Sequence, residues 1–79
     1  MGTPTNKDRA AWAETALEAF AGEIRHDGKQ LRDLLPGDRE DMIGDLICDL
    51  LHYAEQQGFD TGLILSDAEN MFEMERTDG

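Results

Sequence analysis

Between Asp38 and Gly58 the chain reads DREDMIGDLICDLLHYAEQQG, and this stretch limits the fold more than any other. At about 100° per residue, Met42, Ile43, Leu46, Ile47, Leu50, Leu51 and Ala54 fall within one half of a helical circumference. Asp41, Asp45, Asp49 and His52 fall on the other half, and Glu55 follows His52 by three residues. One face of such a helix has to be covered, and the other carries concentrated negative charge in water.

The flanking sequence predicts helices to do the covering. Ala13, Leu17, Phe20 and Ile24 recur at spacings of four, three and four, which marks an amphipathic helix of about 20 residues. Thr5 or Asn6 can cap it, with Asp8 in its first turn opposite the positive helix end. Trp12 is placed beside the stripe, sealing the edge of the core. Gly22 weakens this helix by about 1 kcal/mol relative to Ala unless another backbone packs close to it. Asp27-Gly28 is expected to stop it, since glycine takes the left-handed conformation of a C-terminal cap. Lys29 to Leu35 supplies Leu31, Leu34 and Leu35 for a short helical segment of about two turns, ended by Pro36-Gly37.

Asp38 is then expected to cap the central helix, with Glu40 and Asp41 in its first turn, and Gly58 to end it with Phe59 folding back onto the last turn. A third helix carries Leu63, Ile64, Met71 and Phe72. It can start at Thr61 under an Asp60 cap or at Ser66, where Ser66-Asp67-Ala68-Glu69 reads as a capping box; one helix from Thr61 is preferred. Nothing alternates with the period of a strand. The expected fold is all-α: a small bundle of three main helices with a short extra helical segment. It forms one domain over residues 1–79, with 1–5 as a mobile lead-in and 77–79 as a frayed tail.

A chain of 79 residues is in the range where one core is marginal without help. The apolar arc of the central helix is also wider than a two-helix contact needs, so either the other helices wrap it on two sides or part of the stripe meets a second copy; a homodimer is expected. Cys48 is the only cysteine, so no internal disulfide exists, and no Cys/His cluster has zinc-ligand spacing. Cys48 and the methionines Met42, Met71 and Met74 are read as packing residues. No apolar run approaches the roughly 20 residues that cross a bilayer, and the start is unlike a signal sequence, so a soluble, cytoplasmic protein is expected.

The formal net charge of −11 is unevenly spread. Residues 1–39 hold six Lys/Arg against seven acids, whereas residues 40–75 hold ten acids and no Lys or Arg. Direct binding to nucleic acid or to an anionic membrane is disfavoured, because phosphate contacts require cations. A basic partner surface or a divalent cation is favoured. Asp41, Asp45 and Asp49 rise about 6 Å apart along one helix face. Such a ladder can be solvated, can pair with a partner's Arg and Lys, or can bind Mg²⁺ weakly. Like charges at this spacing repel by a few tenths of a kcal/mol per pair, and a helix needing only solubility would do better with Lys interleaved. His52 is read as a surface residue rather than a base, since no Ser, Cys or second His stands in a plausible relay.

The run Arg9-Ala10-Ala11-Trp12-Ala13, Ala16-Leu17 and Phe20, followed by Gly44-Asp45-Leu46-Ile47, Asp49-Leu50-Leu51-His52 and Gly58-Phe59-Asp60, resembles a group of small acidic helical proteins carried by phages, prophages and other mobile elements. The resemblance covers most of the chain and rests largely on helix-compatible Ala/Leu/Asp patterning. It implies a mobile-element accessory protein; small acidic inhibitors of host defence, such as anti-CRISPR proteins, form one recurrent class among these. A second resemblance covers residues 40–76. Asp45-Leu46-Ile47 through Leu51, then Ala54 and Gly58-Phe59-Asp60, is similar to the second half of MazG-like all-α nucleotide pyrophosphohydrolases. Those enzymes hold magnesium with a Glu-x-x-Glu pair and a Glu-x-x-Asp pair, because a triphosphate needs several carboxylates to fix its metal ions. Here Asp45 matches the last Asp, but Met42 occupies the matching Glu position, and Glu14, Glu18 and Glu23 are spaced by four and five.

Two functions are therefore expected as alternatives. One is a non-enzymatic inhibitor without cofactor, whose Asp41, Asp45, Asp49, His52 and Glu55 bind the basic, nucleic-acid-binding surface of a host complex such as a CRISPR effector subunit. The other is a reduced Mg²⁺-dependent nucleoside triphosphate pyrophosphohydrolase using Glu14, Glu18, Asp45 and Asp49. The broken carboxylate pattern favours the first.

Overall fold

A computed structural model describes residues 2–78, apart from the side chain of Asp78. Met1 of the expected lead-in and Gly79 of the expected tail lie outside the described residues. The fold is all-α: α1 (Asn6–Ile24), a 3-10 turn (Leu31–Asp33), α2 (Pro36–Gln56) and α3 (Thr61–Asp78), with no strand among the described residues. Among the described residues no helix is long and apolar enough to cross a membrane.

Thr5 is the residue that caps α1. Its hydroxyl accepts from the Asp8 amide and its own amide donates to the Asp8 carboxylate, a reciprocal box that satisfies two free donors at once. The helix ends at Ile24, before the expected Asp27-Gly28 stop. Local side-chain bonding explains the early end: the Asp27 carboxylate accepts the Lys29 amide at 3.1 Å and the Arg25 guanidinium at 2.6 Å, competing with continued helix. Gly28, at φ +76°, turns the connecting loop instead of capping the helix.

Leu31 to Asp33 makes a single 3-10 turn where about two turns were expected. The Asp33 carboxylate accepts the Gln30 amide, and Leu31 and Leu34, which eclipse at this spacing, are both buried, while Leu35 points outward. Pro36 does not break the chain between two helices; it begins α2, with Leu35 rather than Asp38 at the N-cap. A proline at the first helical position loses no hydrogen bond and has its φ already set, and it holds the preceding Leu35 extended. Asp38 accordingly moves into the first turn. At the other end Gly58 adopts φ +79°. Its amide bonds to Glu55 and the Phe59 amide to Ala54, the paired 5→2 and 6→1 bonds of a Schellman stop. The Phe59 backbone folds back as expected, but its ring stays exposed. Asp60 caps α3 through the Leu63 amide at 2.9 Å, and the helix runs through Ser66 without interruption to Asp78.

The core is small. Leu17 and Ala21 of α1, Leu31, Leu34 and Met42 of α2 form one cluster, with Phe20 and Leu46 packed partly against it. Ala54 is buried separately near the end of α2. The stripes predicted from periodicity are covered only in part. Ile43, Ile47 and Leu50 on α2, and Leu63, Ile64, Met71 and Phe72 on α3, remain exposed, as does Met74. Trp12 does not seal the core but is 61% exposed. On the helical wheel it lies about 140° from Leu17, on the far side of α1. The outer end of α3 is tied to the start of α1, where Asn6 Nδ2 donates to the Glu75 carbonyl at 2.9 Å and Arg9 pairs with the Glu75 carboxylate at 3.2 Å.

A Cβ at Gly22 would meet nothing within 4 Å, so no close backbone approach requires glycine there. Gly22→Ala should stabilise the protein by about 1 kcal/mol, raising the thermal midpoint by about 4–8 °C. Gly58→Ala should lower it, because its left-handed conformation strains any other residue. Thermal melts followed by circular dichroism check both signs.

The Arg25 guanidinium, then the Lys29 amide, hold the Asp27 carboxyl below its ordinary range. A depressed carboxyl contributes stability that is present above its unfolded pKa of about 3.9 and is lost as pH falls through the lower folded value. The stability gap between the parent and Asp27→Asn, read from urea midpoints, should therefore be open at neutral pH and close as pH falls below that range. Arg25 is shifted upward, chiefly by the same bond, and stays charged throughout.

Candidate functional site

Helix α2 keeps its acids exposed. Met42 is 3% exposed and Leu46 is half-buried, which fixes the rotation of the helix about its axis. Asp41, Asp45 and Asp49 follow at one-turn intervals, about 100°, 60° and 20° round the helix from Met42 on the side away from Leu46, all exposed, with His52 and Glu55 exposed beyond them. Among the described residues, none of these five side chains takes a hydrogen bond or an ion-pair partner. The ion pairs of the fold are made by Asp27, Glu73 and Glu75, outside α2. The ladder is thus an unneutralised anionic strip mounted on the longest helix of the molecule.

The carboxylates of the pyrophosphohydrolase alternative are dispersed. Glu14 borders a groove between α1 and α2, and Glu18 stands beside Ala21, Gly22 and Leu31, whereas Asp45 and Asp49 line neither place. Among the described residues no three His, Cys, Asp or Glu side chains converge as a metal-binding group. Cys48 is a free, exposed thiol on the outer side of α2 rather than a packing residue.

The groove itself was not foreseen as a site. It is an open groove of about 640 Å³. Ala10, Ala13 and Leu17 of α1 line it from one side and Ile43, Ile47 and Leu50 of α2 from the other, with Glu14, Arg39 and Glu40 also in its lining. It exists because α1 and α2 are packed at the Leu17, Ala21 and Met42 end and leave the remaining stripe of α2 uncovered. The sequence signal was the width of the α2 apolar arc, which exceeds what one neighbouring helix can cover.

No protein-family model, characterised protein or solved structure matches this chain.

Proposed function

We propose that the chain is a non-enzymatic interaction protein whose acidic α2 face occupies a basic, nucleic-acid-binding surface on a larger target. The observation that carries this reading is the unpaired strip of Asp41, Asp45 and Asp49 beside exposed Glu55, on a helix without Lys or Arg beyond Arg39. A solvated helix gains from interleaved cations, and this one forgoes them over sixteen residues, from Glu40 to Glu55. Carboxylates spaced by one helical turn present a rigid row of acceptors to Arg and Lys side chains that otherwise hold phosphate. The resemblance to small acidic mobile-element proteins agrees with an inhibitor of this kind, of which the anti-CRISPR class is the example in view.

The test is competition. The immobilised chain should retain a basic protein from host lysate at low salt and release it to added duplex DNA or RNA, because both ligands use the same cations. A captured protein that binds the chain and nucleic acid simultaneously, each at full strength, would contradict the reading.

A further inference from the structure

The chain exposes 6559 Å², whereas a folded monomer of its 8.8 kDa mass exposes about 4,800 Å², so about 1,800 Å² is in excess. A permanent dimer hides about 1,000–2,500 Å² on each subunit. The dimensions agree: the radius of gyration is 14.4 Å, where about 11.6 Å suits a compact chain of this length.

Much of the excess is apolar and is divided between a hollow and a ridge. The hollow is the α1–α2 groove with Ile43, Ile47 and Leu50. The ridge is α3, which has no buried residue among the described side chains and exposes Leu63, Ile64, Met71 and Phe72. A helix within a protein draws most of its stability from packing an amphipathic face, and α3 leaves its own largely exposed.

Glu14, Arg39 and Glu40 line the groove, and the cation among them has a counterpart of opposite sign on the ridge. At 100° per residue Arg39 falls between Leu46 and Leu50 on α2, and Asp67 falls between Leu63 and Met71 on α3. Among the described residues neither makes an ion pair. An unpaired charge inside an apolar strip is costly to cover unless the covering surface brings its opposite.

We propose that the chain forms a twofold homodimer in which the α3 ridge of each copy fills the α1–α2 groove of the other and Asp67 of one copy meets Arg39 of the other. A foreign partner would account for one of the two surfaces. A second copy accounts for both, since an isologous contact exchanges its two halves. The aspartate ladder, on the far side of α2, stays in water in the pair.

Sedimentation equilibrium of the full chain across micromolar concentrations should give the mass of a dimer. Arg39→Asp and Asp67→Arg should each weaken it by about tenfold or more, and the double reversal should recover it. Asp67→Arg reduces the net negative charge, so weakening by that change cannot come from overall repulsion. Circular dichroism separates loss of assembly from loss of fold. If a single variant unfolds, recovery in the double variant still reads the pair. A parent that remains monomeric, or a double variant no better than the weaker single one, overturns the proposal. Added salt should leave the dimer intact or tighten it, because it screens two chains of −11 each. Dissolution by salt would contradict an apolar interface. The complex made by the acidic face responds to salt with the opposite sign, so the two readings fail separately.

Discussion

Met42→Ala should cost about 2–5 kcal/mol, the largest stability loss expected from any single truncation in this chain. Met42 is the most buried residue of the fold, and its thioether side chain touches the point where α1, the 3-10 turn and α2 meet through Leu17, Ala21, Leu31 and Leu34. Removing three heavy atoms there leaves a cavity that rigid helices close only in part. A domain of 79 residues has about 4–12 kcal/mol in total, and this one has a small core, so a substantial unfolded population is expected at room temperature. Trp12→Ala is the contrasting substitution. A far larger side chain is deleted, yet the ring is 61% exposed on the outer side of α1, so a change within about 0.5 kcal/mol is expected. Urea titrations of the two variants should rank opposite to side-chain size.

That contrast shows where the sequence was informative. The periodicity of α2 was legible because its apolar and acidic residues fall on separate halves by angle, and Asp41, Asp45 and Asp49 are exposed, but the helix buries Met42, at the edge of its apolar arc, rather than Ile43, Ile47 and Leu50 nearer the middle of that arc. The caps at Thr5, Gly58 and Asp60 were legible because each rests on one local hydrogen-bond pattern. The start of α2 is ambiguous in the sequence because Pro36 can either break a helix or begin one, and the extended Leu35 before it decides. Trp12 is exposed despite its bulk because its angle on α1 carries it away from Leu17 and Ala21. Burial of the apolar stripes was overestimated for a different reason: periodicity says which face of a helix needs covering, not whether the same chain has enough surface to cover it. Here α1 covers one end of α2 and leaves Ile43, Ile47 and Leu50 open.

The second large effect concerns binding. Changing Asp41, Asp45 and Asp49 together to Asn removes three charges without altering shape, apolar burial or any hydrogen bond of the fold. The variant should fold at least as stably as the parent, because like-charge pairs at this spacing cost a few tenths of a kcal/mol each. Its affinity for a basic target should nonetheless fall by about a hundredfold or more, since each charge-assisted hydrogen bond contributes about 1.5–3 kcal/mol where water is excluded. Stability and affinity would then move in opposite directions, which separates a binding face from a structural one.

The account stands on the outward face of α2 being a surface for cations, and one titration tests it most directly. The dissociation constant of the captured basic target is measured for the parent and for the triple Asn variant over a series of salt concentrations. The account predicts tight, steeply salt-weakened binding by the parent and weak, nearly salt-independent binding by the variant. Equal affinities with equal salt dependence would contradict it.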